Sequence, residues 1–377
     1  MKWFLVFSLG LFISGSVFAI PNDWYYGQQI SYADAQSIGL AGVTVLKSKI
    51  NFDNLGLIGF APSPQLMLSY NLGFISERRT KMLYDQFDNT LGEVAFAENL
   101  LTTGKLGTTG LVYPLKLFNI GFSIRPQYVF DYRFYQEFRD DFYAKVGEKE
   151  IKLSGSIYKS SFLLSKEFYK KIGFGIGINY YFGNRKYLFH DSIVYMRQLN
   201  AETTGSTKGF GYSLGFTAIP IERMLLHIDY QAGVMLKNWT DGVNQRYPEI
   251  LSLGISYLAS GEIPTQIGVR GQYTNWKKLQ PNFSRTFETG IGVEHIFFNG
   301  VAFRYGFRLE PSFTPPVVHQ GAVCLGWGFE VSTIRFDIGA DIKRRIIGSE
   351  NLLFSNENDV KVYQNSGEIV ISVSKIL

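Results

Sequence analysis

The chain has 377 residues, a net charge of +5 and a single cysteine, Cys324. A small charge excess of this kind lacks the concentrated basic face of a nucleic-acid binder, so no nucleic-acid partner is expected, and one cysteine excludes an internal disulfide. Aromatic residues make up 16% of the chain, which also contains 39 glycines. This composition favours β structure, because glycine is a poor helix former and aromatic residues favour strands and bilayer interfaces.

The N-terminus has the pattern of an export signal. Met1 and Lys2 form a short positive region, an apolar run follows to Ile13, and Val17-Phe18-Ala19 fits the small-x-small rule of signal peptidase. We therefore expect residues 1–19 to be a signal peptide that exports the chain to the bacterial outer membrane. Every later apolar run is interrupted by polar residues, so no spanning helix is predicted.

The next segment, residues 20–64, shows no sustained alternation of apolar and polar residues. It is rich in small and apolar side chains and ends in Ala61-Pro62-Ser63-Pro64. A solvent-exposed tail of this length would not carry so many apolar side chains. We therefore predict a hatch that folds back into the lumen of the barrel formed by residues 65–377.

A first long loop is predicted after an opening strand over about Gln65 to Ile75. Its apolar residues recur at three- and four-residue spacings, which indicates an amphipathic helix over Lys81 to Leu101. Such a helix lines an external groove for an apolar molecule, or it only covers the barrel rim. The groove residues are Met82, Leu83, Phe87, Leu91 and Val94, with Ala95 and Leu101 on the same face.

The remaining chain alternates strictly over long stretches. From Val301, apolar residues interleave with Arg304, Gly306 and Arg308, and a second such run starts at Ile334. Successive strand residues point to opposite faces, so each strand has one apolar and one polar face. A soluble β-sandwich is the competing interpretation.

Short and long connections alternate along the chain, as in an outer-membrane barrel with short periplasmic turns and long outer loops. The closing strand is placed over about Gly367 to Leu377, which makes about fourteen antiparallel strands. The tight turns are Leu117 to Asn119, Tyr169 to Lys171, Pro220 to Arg223, Ser260 to Glu262, Asn299-Gly300 and Ser332-Thr333. The long loops are Gln136 to Gly147, Asn184 to Thr207, Asn238 to Tyr247, Lys277 to Ser284, Ser312 to His319 and Gly348 to Ser366.

Charged residues share the lumen face of this arrangement. The arginines Arg125, Arg270, Arg304 and Arg308 alternate with outward apolar residues, as do several acidic residues. Ion pairs that fill the interior and hold the hatch are one interpretation. The other is that an arginine binds a fatty-acid carboxylate through two parallel hydrogen bonds, with Arg304 and Arg308 as the first candidates.

No catalytic residues, metal ligands or cofactors are predicted. The four histidines lie far apart in sequence, and no serine occurs in a Gly-x-Ser-x-Gly elbow. His227 and Asp229 share the lumen face and could form a catalytic pair, although alternation alone places them there. We therefore expect a protein that is not an enzyme.

Three collinear segments resemble the FadL-type family of outer-membrane transporters of hydrophobic compounds, which includes the PorV-like proteins. They are Ser37 to Val43, then Tyr247 to Gly254 with Tyr273 to Trp276, and Arg304 to Phe307 with Pro311 and Pro315. The resemblance implies a fourteen-stranded barrel with an N-terminal hatch that includes Gly39, Gly42, Asn54 and Gly56. The chain departs from the family at Asp53 to Leu57, where the usual Asn-Pro-Ala-Gly motif is absent.

The resemblance also implies passive transport of long-chain fatty acids or other hydrophobic molecules. The cargo would collect in the external groove, enter the lumen, pass the hatch and leave sideways through the wall. The expected partners are outer-membrane lipid and hydrophobic small molecules. The alternative is a PorV-like binding or scaffold protein of a secretion system, whose outer loops hold a secreted or surface protein; a general diffusion porin is disfavoured by a plug of this size.

Overall fold

The structure is a computed structural model that describes residues 20–46, 50–140, 142–193, 197–238, 244–298, 300–353 and 360–377. The predicted signal peptide, residues 1–19, lies outside the described residues. Within the described part of the chain, no helix is long and apolar enough to cross a membrane.

The N-terminal segment, residues 20–64, contains only short elements. Its polypeptide is nevertheless well buried, including most residues from Tyr32 to Val45. The elements are β1 (Ile20–Pro21), α1 (Asn22–Tyr26), β2 (Gln28–Gln29), α2 (Ala35–Gly39) and a 3-10 turn (Leu57–Phe60).

The rest of the chain forms a closed antiparallel barrel, so the β-sandwich interpretation is wrong. Its strands are β3 (Gln65–Tyr84), β4 (Thr90–Pro114), β5 (Asn119–Val129), β6 (Tyr132–Arg139), β7 (Lys145–Phe168), β8 (Ile172–Ile193), β9 (Arg197–Ala218), β10 (Met224–Gln231), β11 (Val234–Asn238), β12 (Gln245–Tyr247), β13 (Ile250–Ala259), β14 (Thr265–Asn275), β15 (Arg285–Ile296), β16 (Ala302–Pro311), β17 (His319–Val331), β18 (Ile334–Gly348) and β20 (Val360–Ile376), while β19 (Leu352–Leu353) pairs with β1 outside the barrel sheet. Short 3-10 turns lie at Trp276–Lys278 and Ser349–Asn351.

The predicted number of strands is confirmed. The pieces β5 and β6, β10 and β11, and β12 and β13 each form one interrupted strand, which leaves fourteen strands in the described barrel. The barrel closes between β20 and β3, from Val360 opposite Lys81 to Ile376 opposite Gln65.

The predicted tight turns are also confirmed where the structure describes them. Tyr169 and Lys170 have positive φ angles of 53° and 54°, as the two central residues of a hairpin turn with right-handed strand twist require. Asn299 lies outside the described residues, but β15 and β16 pair directly on either side of it.

The predicted long loops are mostly too long. Between Asn184 and Thr207, β8 continues to Ile193 and β9 begins at Arg197, while residues 194–196 lie outside the described part. Likewise β3 runs beyond Ile75 to Tyr84 and β20 begins before Gly367, at Val360. These extensions carry polar side chains on their outward face, for example Lys186 paired with Glu202. Outside the bilayer both faces of a strand can be polar, so the apolar alternation that marks a strand disappears.

The amphipathic helix over Lys81 to Leu101 is not formed. These residues belong to the ends of β3 and β4 and to the turn between them, with Lys81 opposite Val94. In the turn, the Asp85 carboxylate accepts hydrogen bonds from the backbone N–H of Phe87 and of Asn89. Ladder pairing with the rest of the barrel extends this hairpin outward and outweighs the weak helical periodicity.

The predicted faces hold around the barrel. Phe174, Ile176 and Ile178 are exposed on the outside of β8, whereas Asn179 is fully buried. Val323 and Leu325 are exposed on β17 while Cys324 between them is buried. An outward apolar belt and a polar interior are the arrangement of a barrel that spans a membrane.

Candidate functional site in the barrel interior

The N-terminal segment lies directly against inward-facing glycines of the wall. A Cβ atom added to Gly39 would lie 3.0 Å from the Gly326 Cα, and one added to Gly173 would lie 2.2 Å from the Gly56 carbonyl oxygen. Two backbones can approach this closely only where no side chain intervenes. Gly42 has a φ of +84° and lies beside the Arg270 guanidinium.

Asn54 anchors the periplasmic half of the segment. Its side-chain oxygen accepts hydrogen bonds from the Leu57 N–H at 3.0 Å and from the Thr217 hydroxyl at 2.6 Å. The Asp229 carboxylate on β10 accepts the Leu55 N–H at 3.0 Å. The Asn-Leu-Gly sequence at this position therefore joins the segment to β9 and β10, although it lacks the proline of the usual Asn-Pro-Ala-Gly motif.

The opposite wall holds the first part of the segment, from Asp23 to Ala35. The Arg345 guanidinium on β18 pairs with Asp23, and Tyr32 donates a hydrogen bond to Glu368 on β20. The Ala35 N–H donates to the Ser372 hydroxyl at 2.9 Å. The segment is thus bonded to opposite sides of the barrel.

Arg304 and Arg308 lie fully buried in the interior, each between acidic side chains. Arg304 donates to Glu294 at 2.6 Å and to Asp337 at 2.8 Å. Arg308 donates to Asp341 at 2.7 Å and also pairs with Glu310. Both guanidinium groups already have carboxylate partners from the barrel itself.

Arg270 and Arg125 are bound to the N-terminal segment. Arg270 donates to the Ser31 carbonyl at 3.2 Å and lies 3.5 Å from Glu288. Arg125 forms an ion pair with Asp53. Arg270 and Arg308 share Glu288 as a partner, and each of the four arginines has at least one carboxylate partner.

His227 and Asp229 form the pair that their spacing suggested, with 3.0 Å between Nδ1 and the carboxylate. Because the same carboxylate accepts the Leu55 N–H, this pair helps to anchor the N-terminal segment. Among the described residues, no group of His, Cys, Asp and Glu side chains could hold a metal ion.

An aromatic cluster fills the outer half of the lumen on the side of β5 and β12. Trp276 stacks on Phe313 with ring centroids 4.0 Å apart, and Tyr26 meets the edge of Phe283 at 4.9 Å. Two members, Tyr128 and Tyr181, carry buried hydroxyl groups that have no hydrogen-bond partner among the described residues. The buried members are Tyr128, Phe130, Ile157, Tyr181, Val234, Leu236, Tyr247, Trp276, Phe283 and Phe313.

The barrel wall contains a window between β4 and β5. Their ladder runs from Pro114 opposite Asn119 to Thr109 opposite Ile124 and then stops. Further out, the Tyr135 N–H donates a hydrogen bond to the Asn99 side chain of β4 at 2.7 Å. No ladder pair on this side is described for residues 100–108 of β4.

The local sequence explains why the strands part. Pro126 has no N–H to donate, and the β5–β7 register shifts between Pro126 and Tyr128. The strand then breaks between Val129 and Tyr132. Behind the break, β2 pairs with β5 from inside the barrel, with Gln28 opposite Val129. The N-terminal segment thus covers the window from within.

A cavity of about 80 Å³ lies between this segment and the window. Trp24, Gln28 and Ile30 bound it on the inside, and Thr103 and Lys105 of β4 on the other. Lys105 reaches across the window to Asp131, with 2.5 Å between Nζ and the carboxylate. We call this space the vestibule.

The predicted groove residues lie elsewhere. Leu83, Phe87, Leu91 and Val94 are exposed on the hairpin that β3 and β4 extend beyond the apolar belt, and Met82 is half-buried there. An open surface depression of about 600 Å³ lies at the base of this hairpin, but polar residues such as Arg78, Glu98 and Asn365 bound most of it. The hairpin therefore does not form the predicted apolar groove.

Sequence reasoning missed the window, the vestibule and the pair of Lys105 with Asp131. One signal was available: Pro126 lies inside an alternating run, which is unusual for a strand that is paired on both sides. The contact between residues 105 and 131 depends on where the two strands separate, which alternation does not show.

No family model matches the sequence, and no curated protein matches it. Solved structures do match. A Pseudomonas aeruginosa FadL homologue is 12% identical with a TM-score of 0.61, covering 96% of this chain and 100% of that one. The toluene transporter TodX of P. putida is 12% identical with a TM-score of 0.62, covering 92% and 98%. The toluene transporter TbuX of Ralstonia pickettii is 13% identical with a TM-score of 0.59, covering 92% and 99%.

At this level of identity, what the chain shares with these proteins is the fold. The chain has the fold of the FadL-type transporters, as the resemblance implied. Together with the apolar exterior, this fold places it in a bacterial outer membrane.

Proposed function

We propose that the protein is a passive transporter that moves small uncharged hydrophobic molecules across the outer membrane and releases them sideways through the wall. The window between β4 and β5 is the observation that carries this proposal. In hydrocarbon, every unpaired backbone group costs several kcal/mol. An unpaired strand edge therefore persists in a membrane barrel only beside water, protein or a passing molecule.

The interior supports an uncharged cargo over a fatty acid. Arg304 and Arg308 would have to give up Glu294, Asp337, Asp341 and Glu310 to bind a substrate carboxylate. The aromatic cluster instead offers ring faces and edges, which suit apolar and aromatic molecules. Two of the solved structures with this fold are toluene transporters, which agrees with such a cargo.

The proposed route starts at the aromatic cluster, where Tyr26 of the N-terminal segment packs against Phe283. The cargo then passes the residues around α1 and β2 and reaches the vestibule. It leaves through the window into the bilayer. Residues 20–64 act as the hatch, because they separate the aromatic cluster and the vestibule from the periplasmic half of the lumen.

The test is uptake by intact Gram-negative cells that express the mature barrel and lack other hydrophobic-compound transporters. N-phenyl-1-naphthylamine is a suitable uncharged probe, since its fluorescence rises on reaching the inner lipid. We expect a rate several-fold above that of cells with an empty vector, and no increase for radiolabelled oleate. Uptake of the probe at the vector rate would contradict the function, and faster oleate uptake would restore the fatty-acid interpretation.

A matched pair of variants tests the route. Thr103→Trp places a large side chain in the vestibule and is expected to return probe uptake to the vector rate. Thr204→Trp adds the same side chain on β9, paired with Lys186 of β8 away from the window, and is expected to leave uptake unchanged. Equal rates in the two variants would show that cargo does not use the window.

A second candidate function is a scaffold that holds a partner protein at the outer surface. It is favoured by large apolar side chains at the outer hairpin tips, including Phe87, Phe142 and Tyr143, which are 73%, 90% and 80% exposed. Replacing all three with Ser separates the candidates. A transporter retains probe uptake after this change, whereas a scaffold loses its surface partner.

A further inference from the structure

Among the described residues, one ion pair crosses the window, and its partners come from the two edges. Lys105 is the only charged residue between Glu98 and Pro114 of β4, and Asp131 is the only acidic residue between Asn119 and Tyr135. The Lys105 ammonium and the Asp131 carboxylate meet at 2.5 Å. The Lys105 ammonium also donates to the Ser156 hydroxyl on β7 at 2.9 Å.

The surroundings of this pair differ from those of the other interior charges. The Lys105 and Asp131 side chains are 17% and 14% exposed, whereas those of Arg304 and Arg308 are 0% and 1% exposed. Both side chains bound the vestibule. The pair is therefore in contact with the space that the proposed cargo would occupy.

The pair also lies where no described backbone ladder joins β4 to β5 or β6. Towards the periplasm the window is closed by ladder bonds at Thr109, and towards the outside by the bond between Asn99 and Tyr135. Between these points, Lys105 is the described link from β4 to the segment between β5 and β6. A lysine side chain has a flexible four-carbon stem that ends in a compact charge. It can therefore rotate away from Asp131 without any movement of the backbone.

We propose that Lys105 and Asp131 form a latch across the window, which closes the vestibule to lipid between passages and opens by rotation of the lysine side chain. This inference rests on the proposed function, because a latch has meaning only if cargo leaves here. The latch sets the rate of release, while the cluster and the vestibule select the cargo.

Breaking the latch should increase the rate of probe uptake. Lys105→Met keeps the length of the side chain and removes its charge, and Asp131→Asn removes the partner's charge. We expect each to raise uptake of N-phenyl-1-naphthylamine about three- to tenfold. The exchanged pair, Lys105→Asp with Asp131→Lys, restores the attraction and is expected to return uptake towards the native rate, which a purely structural loss would not do.

Locking the latch should stop uptake. Lys105→Cys and Asp131→Cys, in a Cys324→Ala background, can be joined by a short thiol-specific cross-linker that dithiothreitol releases. We expect the joined barrel to take up the probe at the vector rate and the released barrel to recover. Because the same folded molecules are measured before and after release, misfolding cannot produce this result.

Lys186→Met is the matched control, since Lys186 pairs with Glu202 at 2.7 Å on the outer wall. Its uptake should equal that of the native protein. The latch is overturned if Lys105→Met is no faster than the native protein, or if the joined barrel still transports, while native uptake exceeds the vector rate. Native uptake at the vector rate would remove the transport function and the latch together.

Discussion

Individual side chains in this barrel show how burial determines the role of a charge. Arg304 and Arg308 were candidates for binding a substrate carboxylate, yet each is already paired with at least two carboxylates of the wall. Charges removed from water have to be paired close by. The alternating pattern identifies which residues face inward, but it does not show that their partners are also inside.

Replacing Arg304 with Gln should destabilise the barrel rather than change its cargo. Glu294 and Asp337 would lose their common cation while buried, at a cost of about 3–5 kcal/mol. Lys186→Gln, which breaks an exposed pair, should cost about 0–1 kcal/mol. Urea unfolding followed by the electrophoretic shift of the folded barrel measures both; similar losses for the two variants would contradict the assigned role.

Asp34 gives the N-terminal segment a pH dependence. Burial raises the pKa of Asp34 to about 6, above its ordinary value of 3.8, although hydrogen bonds from Ser37 oppose the shift. Since the folded-state pKa is raised, protonation stabilises the folded state. This contribution, about 3 kcal/mol, is fully present below about pH 4 and is lost as the pH rises through about 6.

The Asp34→Asn variant isolates this effect. Relative to the native protein, its stability should be similar at about pH 4 and higher at about pH 7.5, because the amide stays neutral at both. The measurement is the unfolding midpoint of the two proteins at each pH. A difference that does not change with pH would show that Asp34 titrates as an ordinary exposed carboxyl group.

Among the larger elements, the N-terminal segment depends on wall glycines for its position. A Cβ atom on Gly173 would lie 2.2 Å from the Gly56 carbonyl oxygen and 2.6 Å from the Phe60 ring. At Gly261, in a periplasmic turn, the nearest atom would be 3.8 Å away. The two glycines therefore form a matched pair for substitution.

Gly173→Ala should displace the segment around Gly56, while Gly261→Ala should not. A reporter thiol at buried Leu57, in a Cys324→Ala background, should react about tenfold faster with maleimide in the Gly173→Ala protein, as about 1.4 kcal/mol of overpacking strain implies. Unchanged reactivity would mean that the segment is held independently of this contact.

Over the whole molecule, the apolar exterior and the polar interior both follow from the alternation of apolar and polar residues along each strand. The apolar residues face the bilayer and the polar residues face the lumen. Ile178 on β8 is 65% exposed on the outside. Ile178→Arg should therefore lower the folding stability by about 2–4 kcal/mol if the position lies near the middle of the bilayer. Thr204→Arg, opposite Lys186 on the outer wall, should cost about 0–1 kcal/mol, and folding into lipid vesicles across a urea series measures the difference.

The amino-acid sequence by itself determined the class of fold, the strand number and the face of each strand. Alternation such as that of Phe174, Ile176 and Ile178 depends only on the two-residue period of a strand and on the solvent at each face. The tight turns were equally local, since each needs only a few residues with the right backbone preference, as at Tyr169 and Lys170.

Only the tertiary structure decided the lengths of the outer strands, the partners of the interior charges and the position of the window. The helix expected at Lys81 to Leu101 became a hairpin because ladder bonds to neighbouring strands outweigh a local periodicity. Lys105 and Asp131 meet because β4 and β5 separate beyond Thr109 and Ile124. Such contacts depend on barrel closure, which brings distant residues together and leaves no local signal in the sequence of either.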